Sequence, residues 1–502
     1  MLLGSRLNWF VITSLISIST ATTLIIFRPN HLTIENALLA IAITVIGLLP
    51  AVCEVINPPR RRSPMPLMAL TGAYYAIFFG ASSFLIVFLS SPFVNSSSGL
   101  SHNIGTITPG ELTGIVFYNK ISIAEILPKA QLLVLAGLSA MLAAWTLARR
   151  YVPIPRIKIT KDDYSGARYR FLLWALALTN ILYLYIPGFS ELPSLGQLMI
   201  PASYLTFSGF FALFLKAELS KREAIIFFCV LMPLWIVKLL TSLFLTPLIL
   251  ICILAAIIWY WIRGTLPWKL GLVTLVIFVF VYPLQGKFRA TIWETNHEFT
   301  EEAPPSSGYT LIEHFTSWDR YKANMVNEYG LTGLARRLSS ITSYSYVVEQ
   351  TPENVPFWLG KTYKPLFTSW IPRVFWVDKP KEKVGNEFGL RYGIISPSDG
   401  EMSINLPWIT EMYINFGRWG VLVGMTLVGF LLGGLERAFN APETPLPETI
   451  VGITLLLPIF YQESNFSLMM GSFLPLAVFL YFYFRIGLKW RVKEKRHKKS
   501  HI

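Results

Sequence analysis

The chain has 502 residues, a formal net charge of +14, 53% hydrophobic residues and only 14% charged residues. This composition excludes a disordered chain and a water-soluble domain, and it is typical of a membrane protein that crosses the bilayer many times. The excess of Lys and Arg falls beside the apolar segments and in the C-terminal tail, where it predicts contact with membrane lipids rather than with nucleic acid.

The apolar segments predict an all-α polytopic membrane protein with about twelve transmembrane helices. A span needs about 20 mainly apolar residues to cross about 30 Å of hydrocarbon. The candidates are 7–27, 35–56, 66–90, 129–148, 171–186, 195–215, 224–243, 246–262, 269–285, 407–434, 447–464 and 466–484. The first segment has no small-residue cleavage site, so we expect a retained helix and not a signal peptide.

Lys and Arg concentrate in every second connection, which predicts the orientation. Basic residues follow the second, fourth, sixth, eighth and tenth predicted spans and fill the tail. We therefore expect both termini to lie in the cytoplasm and the long insertion to lie outside. The predicted parts are transmembrane helices 1–9 over 1–285, a large extracytoplasmic (periplasmic) loop over 286–405, transmembrane helices 10–12 over 406–487 and a basic cytoplasmic tail over 488–502.

The large loop is expected to contain short helices. Residues 309–328 are predicted to form one helix and 331–350 a second, since Leu338, Ile341 and Val348 recur at helical spacing. Thr351-Pro352 is expected to end the second helix, because the residue before proline is pushed out of the α region. The many prolines and glycines that follow predict an irregular segment folded against the membrane helices.

Neither metal nor cofactor chemistry is indicated by the residues. The three cysteines lie in predicted spans, and no CxxC, HExxH or outer Asp-x-Asp pattern occurs. We expect no metal site and no cofactor.

Ionisable residues at the ends of spans are costly and mark candidate functional sites. Lys238, Arg289, Glu411 and Glu463 all fall at the outer face by the predicted topology. Each could instead snorkel to the interface or cap a helix end. Their convergence on one face favours a site.

The segment Ile371-Pro-Arg-Val-Phe-Trp-Val-Asp-Lys-Pro380 concentrates charged and aromatic residues in the outer loop. Arg373 and Lys379 suit a phosphate, and Trp376 between them could stack on a sugar or belong to an interfacial aromatic belt. Arg337 lies on the second predicted outer helix. His314 is a lone histidine without recognisable partner spacing.

Over about residues 330–420 the chain resembles the Wzy-type O-antigen and exopolysaccharide repeat-unit polymerases, which share a fold class with the O-antigen ligases. The resemblance is carried by Arg336-Arg-Leu-Ser-Ser340, by the 371–380 segment, by Phe388-Gly and Tyr392-Gly, and by Glu411-Met-Tyr-Ile-Asn-Phe-Gly417. Relatives often carry an Arg between the seventh and eighth spans. This chain has Thr241-Ser-Leu-Phe-Leu-Thr246 there, and Lys238, one turn earlier, is the candidate substitute.

The resemblance implies transfer of a glycan from undecaprenyl pyrophosphate to a second lipid-linked repeat unit, with inversion and without metal. The outer cations would bind the pyrophosphate and glycan together with Trp376. They are Arg289, Arg337, Arg373, Lys379, Arg391 and Lys238. The base that removes the acceptor proton would be Glu411, with Glu463 and then His314 as alternatives. A chain-length regulator and a flippase are the partner proteins implied.

Two other functions remain open at this point. An O-antigen ligase-type glycan transferase would use the same chemistry on another acceptor. A lipid-linked sugar flippase or transporter would place charges through the bilayer, whereas here they gather at one face, which favours an enzyme.

Overall fold

The computed structural model of the protein describes residues 34–56, 63–84, 106–107, 121–160, 164–186, 188–189, 195–240, 246–269, 271–272, 274–276, 278, 337–369, 371, 376, 378–379, 382–395 and 402–489. Regular structure in these ranges is helical, apart from an antiparallel pair of two-residue strands, β1 (Thr106–Ile107) and β2 (Ile121–Ser122). The expected all-α class is therefore confirmed for this part of the chain.

Within the described ranges, eight helices precede the large predicted loop. They are α1 (Ile34–Ile56), α2 (Leu67–Tyr75), α3 (Ile123–Tyr151), α4 (Gly166–Tyr185), α5 (Leu195–Leu215), α6 (Lys221–Ile226), α7 (Met232–Leu240) and α8 (Thr246–Arg263). A π-helical segment, Ala76–Ala81, extends α2, and another, Phe227–Leu231, joins α6 to α7. Ser220 and Glu223 form a capping box that begins α6.

Six helices follow. They are α9 (Ser340–Gln350), α10 (Leu366–Ser369), α11 (Val384–Arg391), α12 (Trp408–Phe439), α13 (Leu446–Phe460) and α14 (Phe466–Lys489), with a 3₁₀ turn at Lys361–Tyr363. As expected from Thr351-Pro352, α9 ends at Gln350 and Thr351 is extended.

Seven helices in the described ranges are long and apolar enough to cross a membrane. They are Glu35–Ile56, Leu67–Phe84, Ile126–Tyr151, Leu195–Leu215, Thr246–Arg263, Trp408–Phe439 and Phe466–Lys489. Each coincides with a predicted span, so the chain is a membrane protein.

The other five predicted spans are not among these seven. Residues 171–186 and 224–243 are helical over most of their length, as α4 and as the α6–α7 unit, and 447–464 contains the shorter apolar helix α13, which ends at Phe460. Residues 7–27, and most of 269–285, lie outside the described residues. The count of twelve spans stays a prediction.

The core of the helix bundle is the contact between α12 and α3, the most extensive helix pair. Small residues allow the close approach: a Cβ on Gly429 would lie 2.3 Å from the Met141 carbonyl oxygen, and one on Gly433 would lie 2.6 Å from the Ala148 Cβ. Gly-x-x-x-Gly spacing of this kind lets two membrane helices pack backbone to backbone. This contact fixes where the ends of α12 lie.

At one end of the bundle, buried polar side chains form hydrogen bonds to the backbone of the segments that connect the helices. The Glu448 carboxylate accepts hydrogen bonds from the backbone N–H groups of Ile159 and Thr160, each at 2.9 Å, and pairs with Arg156. The Asn440 side chain accepts from Met65 N at 2.9 Å and donates to Met65 O at 2.6 Å. The Glu448 and Asn440 side chains therefore join the helices to their connections at this end.

At the opposite end, here called the loop end, lie residues 351–369, 382–395 and 402–407. Apart from the short helices α10 and α11 and the 3₁₀ turn, these residues are irregular, as expected. Trp358, Phe388 and Tyr392 are buried in the same hydrophobic core as the membrane helices. The described part of the predicted loop therefore packs onto the bundle.

A break in α12 shapes the loop end. Gly417 has φ 63° and ψ −151°, a backbone conformation that is essentially restricted to glycine. The segment 408–416 is thus a separate short helix set at an angle to the rest of α12. This places Glu411 among the loop-end residues.

Candidate active site at the loop end

Three carboxylates converge where the N-terminal segment of α12 meets the turn between α13 and α14. Glu411 belongs to the first turn of α12, and Glu463 belongs to the 461–465 turn. Glu382 comes from the segment before α11 and reaches Asn465 of that turn. The site is therefore assembled from positions about 80 residues apart in the chain.

Glu411 is fully buried and only partly satisfied. Its Oε2 accepts a hydrogen bond from the Phe466 N–H at 2.6 Å. Phe466 begins α14, so this N–H has no partner within its own helix. Glu411 Oε1 has no hydrogen-bond partner among the described residues, although the Thr362 hydroxyl lies near the carboxyl group. A buried oxygen left without a partner is costly and marks a candidate functional group.

Asn415, one turn after Glu411, is fully buried and holds the site together. Its Nδ2 donates to Glu411 O at 2.7 Å and to Thr362 Oγ1 at 2.8 Å, while its Oδ1 accepts from Gly360 N at 2.8 Å. Ser467 in turn donates to Thr362 O at 2.8 Å. The 360–362 turn is thereby fixed to both α12 and α14 beside the Glu411 carboxylate.

Glu463 is engaged by two partners. Arg337 Nη1 lies 2.5 Å from Glu463 Oε1, and Asn405 Nδ2 donates to the same oxygen at 2.9 Å. The Glu463 side chain is 11% exposed, whereas that of Arg337 is 46% exposed. The pair therefore anchors an arginine whose guanidinium still reaches solvent and could take an anion. Burial raises the pKa of the neighbouring Tyr461, and Glu463 adds to that effect while Arg337 opposes it.

Glu382 is the third carboxylate of the cluster. Asn465 donates to its carboxylate. Burial raises the pKa of Glu382, and the Asn465 hydrogen bond and the charge of Lys379 act in the opposite direction. Lys379 also donates to Ile371 O at 2.9 Å. Lys379, from the 371–380 segment, thus contributes a positive charge beside this carboxylate.

Three further candidates lie among the described residues: Arg391, Trp376 and Lys238. The Arg391 guanidinium lies over the Trp358 ring at 4.9 Å and donates to Pro356 O at 2.8 Å, so it fastens the 356–361 segment. Trp376 is 37% exposed. Lys238, on α7, lies 6.0 Å from the Tyr185 ring centroid at the contact with α4. Its expected role as substitute for a missing arginine stays a prediction.

Three candidates lie outside the described residues: Arg289, His314 and Arg373. Arg336 lies outside them as well. The helix expected over 309–328, and the 331–336 part of the second one, also fall there. The proposed roles of these residues stay predictions.

Several residues of the cluster were missed from the sequence: Asn405, Asn415, Thr362, Asn465 and Glu382. One signal was available, because Asn415 follows Glu411 by four residues and therefore lies on the same helix face. An amide at the apolar end of a predicted span is costly enough to attract notice. Asn465 lies in the same turn as Glu463, two residues later. Asn405, Thr362 and Glu382 come from separate segments, and no spacing in the sequence joins them.

A groove begins beside this cluster and runs along α12. It has a volume of about 570 Å³ and extends from Tyr363, Met412 and Phe466 to Leu431. The described residues that line it carry no charge. Among the described residues, no three His, Cys, Asp or Glu side chains are grouped to hold a metal ion.

The arrangement combines a buried carboxylate that could accept a proton, a half-exposed arginine and an apolar groove at one end of a helix bundle. It defines a membrane protein with a candidate site at the bundle end. Residues 110–444 match the model of a family described as "Domain of unknown function (DUF8712)", and the chain belongs to that family. No curated protein and no solved structure matches the chain.

Proposed function

We propose that the protein is a membrane glycosyltransferase that polymerises undecaprenyl-pyrophosphate-linked oligosaccharide repeat units on the extracytoplasmic face of a bacterial inner membrane. The observation that carries the proposal is Glu411, a fully buried carboxylate with one oxygen lacking a described partner, at the loop end of the bundle. The resemblance of residues 330–420 to Wzy-type polymerases supports the same reaction.

In the proposed reaction, an acceptor hydroxyl attacks the anomeric carbon of the donor glycan. A new glycosidic C–O bond forms, the C–O bond to the pyrophosphate breaks, and undecaprenyl pyrophosphate leaves with the bonding electrons. The hydroxyl proton passes to Glu411 acting as general base. Arginine stabilises the negative charge of the leaving pyrophosphate, and Arg337 is the described residue that suits this role.

The other candidate residues have roles within this proposal. Arg289, Arg373, Arg391, Lys379 and Lys238 would contribute further positive charge to the pyrophosphate, and Trp376 would pack on the glycan. Glu463 is placed as the partner that orients Arg337, because its carboxylate is already bound by Arg337 and Asn405. In this proposal the chain has twelve spans with both termini in the cytoplasm, and the loop end faces outward.

Elongation by purified protein tests the proposal. Protein in liposomes receives only its lipid-linked repeat unit, and the products are separated by size. We expect longer lipid-linked chains without added nucleotide. Glu411→Gln, which preserves an oxygen for the Phe466 N–H, should lower the elongation rate by about 100-fold or more, as expected for loss of a general base.

Glu353→Gln is the matched control, since Glu353 is an exposed carboxylate in the turn after α9. It should elongate like the wild type. Movement of the substrate between leaflets without lengthening would support a flippase and overturn the proposal. Transfer of glycan to a different acceptor, again without lengthening, would identify a ligase. A fully active Glu411→Gln variant would remove Glu411 as the base.

A further inference from the structure

The apolar groove along α12 is open to the side, on the exposed face of a helix that is long and apolar enough to cross a membrane. Trp419, Val423 and Leu427 line it and are 65%, 57% and 62% exposed. These residues recur at four-residue spacing, so they form one stripe on the helix. From Trp419 to Leu431 the stripe extends about 18 Å at 1.5 Å per residue, within a span that crosses about 30 Å of hydrocarbon.

The two ends of the groove differ in chemistry. At the loop end, the groove is closed by Tyr363 and Phe466. The Phe466 N–H donates a hydrogen bond to the Glu411 carboxylate. Burial raises the pKa of the Tyr363 hydroxyl, and the charge of the nearby Glu411 raises it further. From there the groove continues through apolar side chains only. Such a site fits an amphiphile, with its polar part at the carboxylates and its hydrocarbon part along α12.

A second helix is the other obvious occupant, because Gly420 and Gly424 have the spacing of a membrane helix-pairing motif. The faces of these two glycines are already covered, however. A Cβ on Gly420 would lie 2.4 Å from the Met412 carbonyl oxygen, and one on Gly424 would lie 2.5 Å from Met412 Sδ. The break at Gly417 places Met412 over both glycines, so a second helix cannot pack against them.

We propose that this groove holds the hydrocarbon tail of the lipid-linked donor, a single polyprenyl chain that enters sideways from the bilayer. The proposal rests on the proposed function for the identity of that lipid. The position of the groove then sets the geometry of the reaction. A tail lying along α12 brings the pyrophosphate to the loop end, beside Arg337 and Glu411, while the glycan extends into the irregular loop.

Photocrosslinking tests the groove without requiring any glycan transfer. A photoreactive residue is placed at Leu427 in the groove or, as the matched control, at Leu178 on α4, which is 53% exposed and does not line the groove. Each protein is held in phosphatidylcholine nanodiscs with undecaprenyl phosphate, and adducts are identified by intact mass. We expect polyprenyl adducts at position 427 to exceed those at 178 by about fivefold, which corresponds to about 1 kcal/mol of preference.

Filling the groove provides a second measurement. Val423→Trp should remove the preference at position 427 and leave the unfolding temperature unchanged, because Val423 is exposed. Equal capture of polyprenyl at 427 and 178, preferential capture of phosphatidylcholine at 427, or a crosslinked dimer through 427 would each overturn the proposal. Because the probe carries no sugar, polyprenyl capture by a protein that never elongates glycan would preserve the groove and refute the polymerase.

Discussion

At the scale of single residues, the loop end gives different surroundings to two carboxylates, Glu411 and Glu463, that look equivalent in the sequence. Glu463 is bound by a cation and an amide, which stabilise its charge in place. Glu411 has one backbone donor, and its other oxygen has no described partner. The first arrangement suits a positioning group and the second suits a reacting group. The ranking of Glu411 before Glu463 as the base therefore has a physical basis.

Loss of the Arg337–Glu463 pair should change both the elongation rate and the stability of the protein. Arg337→Ala should reduce elongation by about 100-fold through loss of charge stabilisation. It should also destabilise the protein, because the buried Glu463 carboxylate loses its cation. In the double variant Arg337→Ala/Glu463→Gln, no buried charge remains unpaired, so part of that stability should return while elongation stays low. Thermal unfolding and product analysis measure the two effects.

Lys129→Ala is the control for this pair. Lys129 and Glu349 form an exposed ion pair at 3.0 Å, which should contribute about 0–1 kcal/mol. Destabilisation of the double variant equal to the sum of the two single variants would show that Arg337 and Glu463 do not interact energetically.

At the scale of elements, the break in α12 is the feature that turns a membrane helix into part of a site. Gly417 lets the segment 408–416 fold back, so that Glu411 and Asn415 meet the 360–362 turn and the start of α14. An unbroken helix would continue in a straight line and separate these groups. The sequence Glu411-Met-Tyr-Ile-Asn-Phe-Gly417 thus places the proposed base, the bracing Asn415 and the helix break at Gly417 within fewer than two helical turns.

Gly417→Ala should destabilise the protein by about 1–3 kcal/mol, because a residue with a Cβ rarely adopts this backbone conformation. The new Cβ would also lie 3.0 Å from the Phe357 ring. Gly166→Ala is the matched control, since nothing lies within 4 Å of a Cβ at the start of α4. Thermal unfolding in detergent compares the two. Equal unfolding temperatures would mean that the break relaxes at little cost.

At the scale of the whole molecule, the two ends of the bundle are built differently. The end with Glu448 and Asn440 is closed by satisfied polar contacts between helices and their connections. The loop end carries Glu411, whose Oε1 has no described partner, together with the half-exposed Arg337 and one end of the groove. Among the described residues this end is the better suited to chemistry, and the proposed function depends on which compartment it faces.

Thiol labelling tests that orientation. With Cys53, Cys229 and Cys252 replaced by Ala, a membrane-impermeant reagent should label Glu353→Cys in intact cells, because this exposed position lies at the loop end. Arg150→Cys, exposed at the C-terminal end of α3, should react only after the membrane is opened. Both positions reacting from the same side would contradict the predicted topology.

The sequence by itself determined that the chain is a helical membrane protein, where seven long apolar helices run and where α9 ends, because length, hydropathy and proline sterics act locally. It also singled out Glu411 and Glu463 as costly charges at the ends of predicted spans, and Arg337 as a cation on a predicted outer helix. Only the tertiary structure decided that Arg337 pairs with Glu463, that Asn415 braces the 360–362 turn and that a groove leads from Glu411 along α12. These contacts join residues that are distant in the chain, and their geometry depends on how separate helices pack, which no local pattern encodes.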